Sequence, residues 1–524
     1  MTAVLERPEV LAAIEAIIGP AQVLTGDAML ALATDVYRRA ELPLAVVRPG
    51  SVEELQAVVR AAAGAGTRLS LRGGGASYTD GYIPFAPGML LLDLARLDRI
   101  VRIDAENGHV TVEAGVTWAA LRDALAEQDL RTPFWGPFSG LAATVGGSMS
   151  QNTISHGSGA YGISAESVLS YDVVTADGSL LSTGAAAAGA VPFTRHFGPD
   201  LTGLFSGDCG TLGIKARVTL PVIRRRLAHR PISFAFADLA TMHEAMRRVA
   251  IERIEDTHFS LDGALSQGQI ARQDRAGATL DLALSILRSS PSLVAGARQL
   301  VRAATSARRA IGASAFMVHY IVEGFDDAEV KARLHRIRTL VLGLGREIPA
   351  TVPAVVRGMP FAPLFNTLGP AGERWVPLHG ILPNRNVAAF ERAYRAMLAD
   401  RAAEMERLGI WLGGMFATVG SGGFLYEIAM YWPDAITEYH RAAVPADYLN
   451  SLPVYPPNPE ARAYVHQLKA DIIALFVEHG ATNFQLGKAY PYASRLQAEP
   501  LALVRALKAA LDPGGLLSPG NLGL

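Results

Sequence analysis

Apolar positions recur with two different periods along this chain, and the stretches where each period holds outline its elements. The run PLAVV at 43–47 reads as a strand stopped by Pro49 and Gly50. Ser51 and Glu54 then form a capping box that opens a helix with Val52, Leu55, Val58, Val59 and Ala62 on one face, closed by Gly64 and Gly66. RLSL at 68–71 and MLLLDL at 89–94 are the next strands. Two alternating runs, 99–104 and 109–114, flank Glu106–Asn107–Gly108 and predict a hairpin. Thr117 caps a helix reaching about Leu130, and a second hairpin over 170–184 turns at Asp177–Gly178. The stretch GDCGTLGIKARVTL at 207–220 is a glycine-rich turn running into a strand.

Beyond Arg224–Arg226 the texture changes. ISFAF (232–236) precedes a helix near Ala240–Arg253, AFMVHYIVEG (315–324) precedes one over Asp327–Leu344, and VPLHGIL (376–382) precedes one over Val387–Leu408 before the strand FLYEIAMYW (424–432). Strands followed by covering helices predict an α+β domain built on antiparallel sheet. A helix over Pro459–Glu478 and a tail close the chain, which gives a first domain at 1–226, a second at 227–480 and a terminal segment at 481–524. Residues 136–162, GPFSGLAATVGGSMSQNTISHGSGAYG, fit neither period, and a loop of that length inside a domain usually has a job.

Composition narrows the function. The 524 residues carry 48 Lys plus Arg against 49 Asp plus Glu, a net charge of −1 that gives nucleic acid or anionic lipid no field to follow. No run is long and apolar enough to span a bilayer, the start MTAVLERPEV has no secretory pattern, and one cysteine, Cys209, leaves no disulfide within the chain and no Cys-rich metal site. A soluble, cytoplasmic protein without a metal is expected.

Three glycine-rich loops carry the chemistry: LRGGGASYTDGY at 71–82, the 140–162 segment and 207–213. Consecutive glycine amides form a concave nest for anionic oxygens, and no side chain blocks the approach. One extended ligand lying across all three loops accounts for them, a pyrophosphate-bearing dinucleotide being the natural choice. The Rossmann fingerprint is absent, because neither Gly73–Gly75 nor Gly207–Gly213 leads into a helix.

The order of these features resembles the vanillyl-alcohol oxidase / p-cresol methylhydroxylase family of FAD enzymes: the strand-helix-strand leading to LRGGGAS, then ATVGGSMSQN at 143–152, FGPDLTGLFSGDCGTLGI at 197–214 and the closing LDPGGLLSPGN at 511–521. The resemblance implies a p-cresol methylhydroxylase-type FAD-binding domain of two subdomains, an α+β cap domain that closes over the flavin and holds the substrate, and a tail that returns to the first domain. It implies that Arg72, Gly73, Gly74, Gly75, Ala76 and Ser77 wrap the pyrophosphate. Thr144, Gly146, Gly147, Ser150, Asn152 and Tyr161 would line the flavin and ribityl chain, and Gly210, Gly213, Ile214 and Asn521 would complete the FAD site. Doubly tethered relatives carry a His after the glycines and a Cys near the second loop. Ala76 and Ala142 stand in those places, so FAD is expected to be non-covalent or tethered once, through a His such as His379.

Oxidation at the flavin needs a positioned carbon and a group that takes or stabilises the hydroxyl proton. The catalytic candidates are His379 in WVPLHGILP, Glu427 on FLYEIAMYW, and Tyr490 and Arg495 in KAYPYASR; Tyr78, Tyr431 and Tyr492 are candidate substrate contacts. Glu427 and Tyr431 share one strand face, where an unpaired carboxylate is costly unless it is used. Met415 and Met430 are assigned to core. The expected function is FAD-dependent oxidation of a hydroxylated small molecule, first an aromatic or phenolic alcohol, with oxygen or an acceptor protein taking the electrons and a homodimer as the expected assembly. The segment EHGATNFQLGKAY at 478–490 resembles 2-hydroxyacid dehydrogenases and keeps that reading open. A nucleotide-binding protein without catalysis is the alternative of another class.

Overall fold

The computed structural model describes residues 7–268 and 315–524. The first sheet holds β1 (Val23–Leu24), β2 (Ala45–Val47), β3 (Leu69–Arg72) and β4 (Leu90–Asp93) in the order β1-β2-β4-β3, with the last three parallel. The helix Val52–Gly64 connects β2 to β3, and Ser51 Oγ caps it by accepting the Glu54 amide at 3.1 Å. Glu54 closes the turn by accepting from the Gly50 amide at 2.7 Å. The helix face read from the sequence is the buried one, packed with Leu69, Leu90 and Leu92 in a common core.

The second sheet contains β5 (Ile100–Asp104), β6 (His109–Glu113), β8 (Ser170–Val174), β9 (Leu180–Ser182) and β10 (Ile214–Pro221), ordered β5-β6-β10-β8-β9 and antiparallel throughout. A short pair, β7 (Leu130–Arg131) with β11 (Ile223–Arg224), lies beside it. Both expected hairpin turns form. Asp177 accepts from the Ser179 amide at 3.0 Å while Gly178 takes φ +78°, a conformation that costs glycine least.

The 136–162 stretch departs from expectation, since it contains a helix over Val145–Gln151 and a single turn over Ser158–Tyr161. Two adjacent glycines hide the first helix from any periodicity. It forms because Thr144 caps it, accepting from the Gly147 amide at 3.3 Å, and because Gly146 packs against Ala114 too closely for a Cβ. The helix opened by Thr117 ends at Ala126, short of the expected Leu130.

The chain leaves β11 at Arg224 and enters the third sheet at Ala228. Its strands are β12 (Ala228–Phe236), β13 (Thr257–Asp262), β14 (Phe316–Gly324), β15 (Arg346–Ile348), β16 (Arg374–Pro383), β17 (Trp411–Val419) and β18 (Gly423–Trp432). They form one antiparallel sheet ordered β15-β12-β14-β13-β17-β18-β16. The helices Leu239–Glu252, Asp327–Val341, Val387–Arg407 and Pro459–Glu478 pack on one face and bury Phe234, Val318, Phe416, Tyr426 and Phe476. The other face looks back at the first two sheets. This is the α+β architecture expected. The tail runs beside the first sheet, where Leu69 donates to the Leu516 carbonyl and accepts from the Ser518 amide, both at 2.8 Å.

Candidate active site

Between the glycine loops and the free face of the third sheet lies a cavity of about 600 Å³. On the loop side it is walled by Arg72 to Tyr78, Thr144, Gly146, Gly147, Ser150, Gly210, Gly213 and Ile214. The geometry explains the three glycines. A Cβ on Gly74 would collide with the Ala142 carbonyl oxygen, one on Gly73 would lie 2.6 Å from Thr144 Oγ1, and Gly75 sits at φ +71° with the Arg72 guanidinium against it. Among the described residues the amides of Gly73 to Ser77 donate to no protein acceptor, although Gly75 is buried. Unmet amides facing a cavity are a site for anionic oxygens, since leaving them buried and dry is costly.

Arg72 folds under this loop, its Nη1 donating to the Gly73 carbonyl at 3.1 Å and to Asp93 at 3.2 Å, so it braces the nest as well as lining it. Lys215, which the sequence reading missed, is the second cation of the wall and is held by Asp208 at 2.5 Å. Only its place one residue beyond Ile214 hinted at it. The donor set therefore fits a diphosphate-bearing dinucleotide: free amides, two cations each held by a carboxylate behind the wall, and no acid lining this side.

Three of the predicted cofactor residues stand outside the wall. Asn521 acts through others, its Nδ2 donating to the carbonyls of Gly81 and Cys209, both cavity-lining residues, at 2.9 and 2.8 Å. Asn152 ends the Val145–Gln151 helix in the left-handed conformation, against Gly207. Tyr161 faces away and takes the Arg131 guanidinium over its ring at 5.8 Å.

The cap side is built by strand alternation. Leu425, Glu427, Ala429 and Tyr431 of β18 all line the cavity, with Trp375 of β16 and Met415 of β17 beside them. Glu427 is the one acid lining the cavity among the described residues, and no hydrogen bond or ion pair is formed by its carboxylate. Burial alone pushes its carboxyl up to about 7. Tyr78 packs edge-on against Trp375 at 5.7 Å, and burial together with Glu427 raises its phenol well above the ordinary value. Met415 thus belongs to the cavity and not to the core, whereas Met430, on the opposite face of its strand, is fully buried.

The other proposed catalytic and substrate residues are not at the cavity. His379 is fully buried behind it, stacked between Phe484 at 3.8 Å and Tyr490 at 4.9 Å. Burial drives its imidazole down to about 3, with Gln485 offsetting only part of the shift. Its strand position opposite Glu427 sets it on the same sheet face, where Tyr490 and the cavity-lining Phe484 cover it. The Tyr490 hydroxyl accepts from the His379 amide at 2.9 Å, a structural tie. Arg495 is exposed and donates to the Ala481 carbonyl at 2.6 Å, and Tyr492 does not reach the wall. Among the described residues no cluster of His, Cys, Asp and Glu could hold a metal, and no helix is long and apolar enough to cross a membrane.

Residues 43–184 match the family described as FAD binding domain. An uncharacterized FAD-linked oxidoreductase of Mycobacterium tuberculosis is 28% identical over 246 residues, 46% of this chain and 51% of that protein. A D-2-hydroxyglutarate dehydrogenase of Xanthomonas citri pv. viticola is 35% identical over 178 residues, 34% of this chain and 36% of that one. The chain thus spans about half the length or less of these curated relatives. Solved structures extend the likeness to the whole fold. 4-Ethylphenol oxidase from Gulosibacter chungangensis superposes with a TM-score of 0.73 at 17% identity, covering 98% of this chain and 97% of that one. p-Cresol methylhydroxylase with substrate bound gives 0.71 at 17% identity, covering 99% and 96%. The matched domain, the free amides of the glycine nest and the shared architecture lead to one conclusion: residues 43–184 form an FAD-binding domain, the chain has the fold of p-cresol methylhydroxylase, and FAD is its cofactor.

Proposed function

We propose that this protein oxidises a neutral hydroxylated small molecule, an aromatic or phenolic alcohol, with Glu427 as the group that takes the hydroxyl proton. FAD, when bound, accepts the electron pair and hydrogen leaving the substrate carbon as a hydride. The hydroxyl proton has to go elsewhere as the carbonyl forms, and Glu427 is the acceptor this cavity offers. Its carboxyl, pushed up to about 7, is half ionised near neutral pH, a value suited to a general base. Trp375, Tyr78 and Tyr431 give a flat apolar substrate its walls and keep water from the carboxyl. The observation that carries the reading is an unpartnered carboxylate on an otherwise apolar strand face, a costly arrangement that a merely structural or nucleotide-binding protein has no use for.

A 2-hydroxyacid substrate is the second reading, supported by the D-2-hydroxyglutarate dehydrogenase relative. Such a substrate carries a carboxylate that needs a cation. Among the described residues no Arg or Lys lines the cap side, the two cations of the loop side are already paired, and Arg495 is outside. The charge balance therefore favours the neutral alcohol. Anaerobic mixing of the flavin-loaded protein with separate panels of phenolic alcohols and 2-hydroxyacids tests this. Flavin bleaching by the alcohols is expected; bleaching by the hydroxyacids alone would reject it.

A further inference from the structure

Side chains of β14 alternate as they do on its neighbours. Val318, Tyr320 and Val322 point into the core under the helices, while Met317 and His319 line the cavity. His319 stands between Ser233 of β12 and Phe259 of β13, and it is 1% exposed. Its Nδ1 lies 2.8 Å from Ser233 Oγ, and its ring tilts against that of Phe259 with 5.1 Å between centroids. Its Nε2 is buried and has no hydrogen-bond partner.

Leaving a buried ring nitrogen bare is costly. His440, equally enclosed, has both nitrogens met: Nδ1 lies 2.8 Å from Thr437 Oγ1, and Nε2 lies 3.2 Å from the Thr367 carbonyl. His319 has one partner, and it stands at the wall of a cavity. A polar atom left bare in such a wall is a place where the ligand supplies the missing partner. Two facts define that partner. Burial drives the imidazole down to about 3, so the ring is neutral and offers a carboxylate no charge. The Ser233 hydroxyl either donates to Nδ1, which makes Nε2 a donor, or accepts from it, which makes Nε2 an acceptor. A hydroxyl group, itself both donor and acceptor, fits either state.

We propose that His319 is a second anchor for the substrate, holding through Nε2 a neutral hydroxyl group carried at the end remote from the reacting carbon. The inference rests on the reading that sets the reacting end at Glu427. From Glu427 the sheet register runs through Met415 and Leu261 to Met317, and His319 is two residues along that last strand. Three strand spacings and two residues set the two Cα atoms roughly 16 Å apart. A substrate that touches both side chains is therefore an elongated alcohol with a second hydroxyl far from the first. Ser233 is a positioning residue, since it fixes the ring and decides which role Nε2 plays.

The test is calorimetric titration of the flavin-loaded protein with a matched pair, biphenyl-4-methanol and its 4'-hydroxy derivative, with flavin reduction followed in parallel. The added hydroxyl should tighten binding by about 2- to 10-fold, the worth of one neutral hydrogen bond. His319→Phe keeps a ring in place and removes the nitrogens, and it should bring the two affinities together. Equal affinities in the wild type overturn the anchor, and that comparison needs no variant to fold. A preference that survives in His319→Phe overturns it too. The two readings separate cleanly. A hydroxyl preference that His319→Phe abolishes, from compounds that never reduce the flavin, sinks the assignment of Glu427 and leaves the anchor standing. Reduction by both compounds at equal affinity does the reverse.

Discussion

The two walls of the cavity are made from opposite materials. The loop wall is backbone: Gly73 to Gly75 leave their amides free toward the cavity, and Gly146, Gly210 and Gly213 have no room for a side chain. The sheet wall is side chain: alternate residues of β13, β14, β17 and β18 project one carboxylate and a field of apolar groups. A backbone wall tolerates almost no substitution, because each added atom meets a neighbour. A side-chain wall can be altered residue by residue without touching the fold, which makes it the place where specificity is set.

That contrast can be broken most violently at Gly74. Gly74→Val forces a side chain into the Ala142 carbonyl, and complete loss of bound flavin is expected from the absorbance of the purified protein, together with a lower Tm. Conservative changes in the sheet wall, such as Leu425→Met, should keep a full complement of flavin. If Gly74→Val also keeps it, the two walls do not differ as described.

The next effect concerns His379, on the same sheet face as Glu427 but covered by Phe484. His379→Ala removes a fully buried ring stacked on Phe484 and Tyr490 and should cost about 2–4 kcal/mol in a denaturant titration. The pH profile of turnover should keep its midpoint, and acid precipitation should release the flavin from wild type and variant alike. Flavin retained by wild type and released by the variant would return His379 to the site as a tether.

Glu427 should also be visible in stability. A carboxyl held above its ordinary value binds its proton more tightly in the folded state, so stability falls as pH rises from about 4.5 to about 7, and stays lowered above that. Glu427→Gln removes the penalty. The variant should therefore unfold at higher temperature than wild type at pH 8, by an amount on the order of 1–3 kcal/mol, and the gap should close at pH 4. A gap of equal size at both values would contradict it. The smallest effect is expected at Arg495→Ala. One exposed hydrogen bond to Ala481 is lost, about 0.5–1.5 kcal/mol of stability, with KM for the substrate unchanged.

The same contrast explains what could be read from the sequence. Glycine clusters announce themselves, so the sequence pointed to the loops that wall the cavity, though not to Lys215, and the capped helix Val52–Gly64 and both hairpins followed from local rules. The helix Val145–Gln151 escaped because its glycines serve close packing against Ala114 and erase the periodicity that marks a helix. Along β18, alternation put Glu427 and Tyr431 on one face. It could not say which strands lie beyond β17, since Leu261 of β13 pairs with Met415 across more than a hundred residues of chain. For the same reason His379 was a sound chemical candidate on the right face: its cover, Phe484 and Tyr490, comes from more than a hundred residues further along the chain.

The central claim is that Glu427 takes the proton as the substrate carbon gives up its hydride. The direct measurement is the rate of flavin reduction by a phenolic alcohol, in single-turnover mixing without oxygen, as a function of pH. The account predicts a rate that rises through about pH 7 in the wild type, and in Glu427→Gln a rate lower by about 10²–10⁴-fold with that rise gone. A variant that reduces its flavin within about tenfold of wild type and keeps the same rise would contradict it.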